Sequence, residues 1–162
     1  MTELERIAKE LEHAHGGAPW HGPSRASVLA DVTVEEAARR PSAKGNSIWA
    51  LVEHMRAWTG EVARRLREGG AREPADGDFP PVPAPTAEAW RRSLAALEAA
   101  HRDVLAAVQA TSPERLDERG GSGDPGLSHA TYRVMLHGLA QHDAYHTGQI
   151  AMLKRIYRDG AS

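Results

Sequence analysis

The sequence predicts an all-α protein built on four long helices, and three observations carry that reading. Apolar residues recur at helical spacing in four separate stretches. No run of alternating β-branched and aromatic residues lies between turn signals, so strands have no support. The stretches that separate the periodic segments are rich in Gly and Pro, which end helices. At 162 residues the chain fits one domain, 1–162, long enough for a sizeable core.

The first long helix is expected over residues 3–15, with Leu4, Ile7, Ala8, Leu11 and His15 on one stripe. A long, partly helical connection follows. Thr33-Val34-Glu35-Glu36 has the pattern of a capping box, which predicts a short helix over 34–40 before Pro41. Another short turn fits 24–30. The second long helix is expected over 47–68, with Asn46 or Ser47 as N-cap and Gly69-Gly70 as its stop. Its stripe is Ile48, Leu51, Met55, Trp58, Val62 and Leu66. Residues 69–85 hold both glycines and five prolines and read as an extended linker. At ~3.3 Å per residue it reaches about 55 Å, further than the ~33 Å of the second helix, so the second and third helices can run parallel. The third helix is expected over 87–110 behind the Thr86 cap, with Trp90, Leu94, Leu97, His101, Val104, Leu105 and Val108 facing inward. Residues 111–127 read as a loop. The fourth helix is expected over 128–158 from Ser128, with Met135, Leu139, His142, His146, Gln149 and Leu153 on its stripe.

Composition narrows the function. Apolar residues make up 41% and charged residues 26%, the balance of a globular protein. A net charge of −2 gives no basic field for nucleic acid or an anionic membrane. No apolar run approaches the roughly 18 residues of a membrane span. The charged start Met1-Thr2-Glu3-Leu4-Glu5-Arg6 does not resemble a signal peptide, so a cytoplasmic location is expected. Cysteine is absent, which excludes disulfides, thiolate metal ligands and a cysteine nucleophile.

His142 and His146 carry the main chemical signal. Four residues apart on a helix, they leave one face with Cβ atoms about 5–6 Å apart and can share a divalent metal. With nine histidines in the chain, the spacing alone is weak evidence. Their place on an apolar stripe strengthens it, because two buried neutral imidazoles satisfy each other poorly. The competing reading is a pair bonded to neighbouring helices or open to solvent. His54, flanking the second stripe, is the best third ligand; alone it reads as a histidine at the core edge. Three imidazoles from two helices make the donor set of an open zinc or nickel site.

Other residues are candidates on weaker grounds. His101 faces the third stripe and could be a fourth ligand or a proton relay, although a packed, hydrogen-bonded histidine is the simpler reading. Gln149 could bind water or substrate, against an ordinary interhelix hydrogen bond. Tyr145 could supply a phenol proton, against simple packing. Asp143 is ~100° from His142 on the helix and cannot reach the same metal; it either orients an imidazole or is solvated. Trp58 and Trp90 read as core, with a cavity-lining role open to them. His137 is expected to face outward into solvent. His13, His15, His21 and His129 are not assigned to the metal.

The run Ser47-Ile48-Trp49-Ala50-Leu51-Val52-Glu53-His54-Met55-Arg56-Ala57-Trp58 resembles the DinB/YfiT-like superfamily of metal-binding helical bundles. So does Gln141-His142-Asp143-Ala144-Tyr145-His146-Thr147-Gly148-Gln149-Ile150. Trp20-His21-Gly22-Pro23-Ser24 and Glu36-Ala37-Ala38-Arg39-Arg40-Pro41 resemble one branch of it. The resemblance implies a four-helix bundle with up-down-down-up topology, often a homodimer, with one divalent metal on His54, His142 and His146. Relatives often carry histidine before the Ser-Ile-Trp run, where this chain has Asn46. By analogy with characterised relatives, the function implied is a metal-dependent S-transferase joining an external low-molecular-weight thiol to an electrophile. The alternatives are a non-catalytic, stress-related metal-binding dimer and a metal-dependent hydrolase. His142-Asp143-Ala144-Tyr145-His146 superficially resembles the zincin His-Glu-x-x-His, but its aspartate is one methylene shorter than the glutamate base.

Overall fold

The computed structural model describes residues 1–119 and 130–160, and the regular structure among them is helical. Six α-helices follow in order: α1 Glu3–Gly16, α2 Arg25–Leu29, α3 Val34–Ala38, α4 Ile48–Glu68, α5 Ala87–Gln109 and α6 Tyr132–Asp159. A 3-10 turn spans Pro113–Asp117. The only β-type pairing among the described residues is an isolated antiparallel bridge between Arg119 and Thr131. No described helix is long and apolar enough to cross a membrane.

Local sequence explains most helix ends. Hydroxyl caps start each α-helix by accepting a backbone N–H in its first turn: Thr2, Ser24, Thr33, Ser47, Thr86 and Thr131. Thr2–Glu5 and Thr33–Glu36 are full capping boxes. Of the two caps considered for α4, Ser47 is the one used. α4 stops where Gly69 and Gly70 take φ values of 75° and 69°, a left-handed backbone that favours glycine. Two boundaries differ from expectation. α3 ends at Ala38, because Arg39 is already extended ahead of Arg40-Pro41. α6 begins at Tyr132 rather than Ser128, because Thr131 is extended and caps the helix; Ser128 itself lies outside the described residues. The loop expected over 111–127 contains the 3-10 turn, which buries Leu116.

The linker after α4 folds back along that helix. Arg65 donates to the Arg72 carbonyl, Arg56 Nη2 reaches Asp76 at 3.0 Å, and Trp58 Nε1 donates to Asp78 at 2.7 Å. α4 and α5 pack closely. Trp49 Nε1 donates to Ser93 Oγ at 2.8 Å near their starts, and Arg67 pairs with Asp103 at 2.6 Å further on.

Buried apolar side chains form two clusters. One joins α1 to Val62, Leu66, Val104, Val108, Leu136 and Leu139. The other joins α2 and α3 to Trp49, Met55, Trp90, Leu97, Ile150 and Leu153. On α5 and α6 histidines fall between the two, His101 and the pair His142 and His146, and on α4 His54 sits next to Met55 at the edge of the second cluster. A polar layer therefore divides the core.

Candidate metal centre

His54 leaves the second turn of α4, and His142 and His146 leave successive turns of α6. Their candidate ligand atoms all lie within 4.8 Å of one another. His54 and His146 are buried and His142 is half-buried. Ring centroids are 4.4–4.9 Å apart for all three pairs. Among the described residues this is the one group of its kind, and it has no fourth member.

Hydrogen bonds set the tautomers. His54 Nδ1 donates to the Asp78 carbonyl at 2.6 Å, which leaves its Nε2 lone pair free. His146 Nδ1 donates to Gln149 Oε1 at 2.7 Å, with the same result. His142 Nε2 lies 2.8 Å from His54 Nε2, so His142 donates to that lone pair and its proton occupies ground a cation could take. The buried Nδ1 of His142 has no partner among the described residues. Burial is the largest cause that pushes the His142 pKa down to about 4, followed by the neighbouring His146 and His54. Burial also lowers His146. Neutral imidazoles are the form a metal requires, so the donor set fits a divalent ion.

The linker roofs this group. Phe79 stacks on the His54 ring with centroids 4.2 Å apart, and Asp78 Oδ1 lies 3.2 Å from His54 Nδ1 while accepting from Trp58. Sequence reasoning missed both residues. Phe79, the single phenylalanine in a Pro-rich stretch, was the available signal.

Two clefts open beside the three rings. One, of about 290 Å³, ends on His142 and is walled by Trp58, Val62, Val134, Met135 and Leu139. The other, of about 340 Å³, ends on His146 and is lined by Asn46, Phe79, Tyr145, Gln149 and Met152.

Other predicted residues fall elsewhere. Gln149 orients His146 within its own helix and makes no interhelix bond to it. Tyr145 is 65% exposed, not packed, with its ring 4.9 Å from that of His146. His101 is buried and stacks on His15 at 4.0 Å, outside the three-histidine group, with burial pushing its pKa down to about 3. Asp143 neither orients an imidazole nor meets solvent: it is buried and pairs with Arg25 at 2.5 Å. Arg25 also donates to His15 Nδ1 at 2.9 Å, and His15 Nε2 reaches Glu98 at 2.9 Å. Trp90 is core, donating to the Val32 carbonyl. His137 is not simply solvated, since it bridges Glu3 and Glu10. His129 lies outside the described residues.

An all-helical fold with three converging imidazoles defines a helical protein with a candidate metal centre. The family model of the DinB superfamily matches residues 25–150, a span that includes all three histidines, and the chain belongs to that superfamily. No curated protein and no solved structure gives a match.

Proposed function

We propose that the protein binds one divalent metal, zinc or nickel, on His54, His142 and His146, and acts as an S-transferase on an external low-molecular-weight thiol. The observation that carries this reading is a three-nitrogen group with no fourth ligand among the described residues, set between two clefts. Three protein ligands leave a position open, as catalytic sites do, whereas structural sites are closed by four. A metal held there would supply the Lewis acidity that keeps a thiol sulfur as thiolate near neutral pH. The absence of cysteine fits a nucleophile brought from outside. His54 and His146 would be held in the ligating tautomer by the Asp78 carbonyl and Gln149. Phe79 would keep water from one face of the His54 ring.

The proposal extends to the frame: one domain, a four-helix bundle of α1, α4, α5 and α6 with up-down-down-up topology, active as a cytoplasmic homodimer. Side-chain pairs support the topology. Trp49–Ser93 and Arg67–Asp103 pair early with early and late with late on α4 and α5. Tyr132 donates to the Arg65 carbonyl and His142 meets His54, the opposite order on α4 and α6. Exposed Tyr145, Met152 and Ile156 on α6 give the dimer apolar surface to cover.

Purified protein is expected to carry about one divalent metal per chain, as three-ligand sites do. No metal by elemental analysis, and none after reconstitution with zinc or nickel, would sink the metal reading. Metal-loaded protein is then incubated with a panel of small thiols and a chromogenic electrophile. His54→Ala and His142→Ala are expected to abolish the rate; an unchanged rate removes the metal from catalysis.

A further inference from the structure

We propose that the cleft ending on His142 binds an uncharged, apolar group, the size of a fused pair of aromatic rings. That this group belongs to the substrate of the metal centre rests on the function proposed above; the binding preference of the cleft does not.

The walls of the cleft carry the argument. Trp58, Val62, Val134, Met135 and Leu139 are apolar, and Gly138 and Ala71 add no polar side chain. Arg65 is the one cation among the lining residues, and two of its nitrogens are already committed. Its Nε donates to Glu61 Oε1 at 2.9 Å, another of its nitrogens donates to the Arg72 carbonyl, and its guanidinium lies 5.6 Å from the Trp58 ring. Arg65 and Glu61 are both buried, and Glu61 also pairs with Arg64 and Arg72, so fixed partners hold the guanidinium beneath the cleft floor. The Trp58 N–H is taken by Asp78, whose carboxylate adds negative charge on this side. In the metal-free protein an anionic ligand would therefore lose its hydration and meet, among the described walls, only a guanidinium already bonded through two of its nitrogens. An apolar ligand loses nothing and stacks on the indole. The volume, about 290 Å³, is roughly twice the ~150 Å³ of an apolar cavity that holds benzene. The opposite cleft, with Asn46, Tyr145 and Gln149, offers polar groups instead, so the two sides of the triad differ in what they accept.

The test uses the full chain stripped of metal by chelation and a matched pair of probes, methyl 2-naphthoate and the 2-naphthoate anion, titrated by calorimetry. The ester is expected to bind saturably and at least tenfold tighter than the anion. Gly138→Leu is expected to weaken the ester at least tenfold, because a Cβ at Gly138 enters open space and the longer side chain fills the cleft. No saturable ester binding, equal affinity for the two probes, or an unchanged ester affinity in folded Gly138→Leu overturns the proposal. If that variant fails to fold, Val134→Arg decides, since Val134 is 59% exposed and its replacement adds a free cation at the mouth. The ester-to-anion preference should then shrink at least tenfold, and an unchanged ratio overturns the proposal. Zinc titration of the same samples separates the readings: protein that takes up no zinc yet still prefers the ester loses the metal reading and keeps the cleft.

Discussion

His54 and His146 fix their Nδ1 protons by different means, and the difference is measurable. His146 relies on a side chain, Gln149, whereas His54 relies on a backbone carbonyl that no substitution at Asp78 removes. Outer partners of this kind are worth roughly 10–100-fold in metal affinity. Gln149→Ala should therefore lower zinc affinity at least ~10-fold, and Asp78→Ala by clearly less, in competition with a chromogenic chelator. The opposite order would place the orienting role on the Asp78 carboxylate. Acid stability follows from the same burial. Burial pushes His142 down to about 4 and His101 to about 3, both below the ordinary 6.5. Between those values and 6.5 the unfolded chain binds more protons than the folded one, so metal-free protein loses stability as pH falls through that window. Above 6.5 the contribution is complete and flat. Urea midpoints should fall from pH 7 to pH 5 and hold between pH 7 and 8; equal midpoints at 7 and 5 would contradict the burial of neutral imidazoles. At this scale the sequence exposed the candidate ligands but not their support. The spacing of His142 and His146 is local, whereas the oxygen that orients His54 lies 24 residues away in a segment without periodicity.

The helices that position these residues depend on a few polar links. Ser93 on α5 accepts from Trp49 Nε1 and donates to Glu53 Oε1 at 2.5 Å, joining α5 to two turns of α4 beneath His54. All three residues are buried. Ser93→Ala strips a partner from the indole N–H and from the carboxylate together, and a buried group left unsatisfied costs ~1–3 kcal/mol, more when charged. Urea unfolding should register a loss of about 2–4 kcal/mol on that basis, with the helical spectrum retained. A loss below about 0.5 kcal/mol would mean that water replaces the serine hydroxyl. The long helices were readable because each has an apolar stripe and a hydroxyl cap. The short elements were harder. α3 was announced by its capping box, but its end was set by the residues before Pro41, and the 3-10 turn has no stripe beyond the single buried Leu116.

Across the whole molecule, the polar layer between the two apolar clusters is where the fold is least self-sufficient. His54, His142 and His146 meet there with one buried nitrogen unpartnered. On a neighbouring face of α6, the Arg25–Asp143 pair leaves one carboxylate oxygen without a partner among the described residues. Sequence periodicity located each histidine on its own helix but could not show that all of them fall at one level, because that depends on how the helices are offset. A metal at this level would tie α4 to α6 between the clusters and bind the native state alone. Such a ligand stabilises by ~2.7 kcal/mol at a free concentration 100 times its Kd. For a chain of this size each kcal/mol raises Tm by roughly 2–4 °C, so zinc should raise it by about 5–11 °C in one transition. Chelation should reverse the shift, and His54→Ala should abolish it. A shift of the same size in His54→Ala would mean that zinc stabilises the protein elsewhere. A split into two transitions would mean that the clusters above and below the histidine layer unfold as separate units.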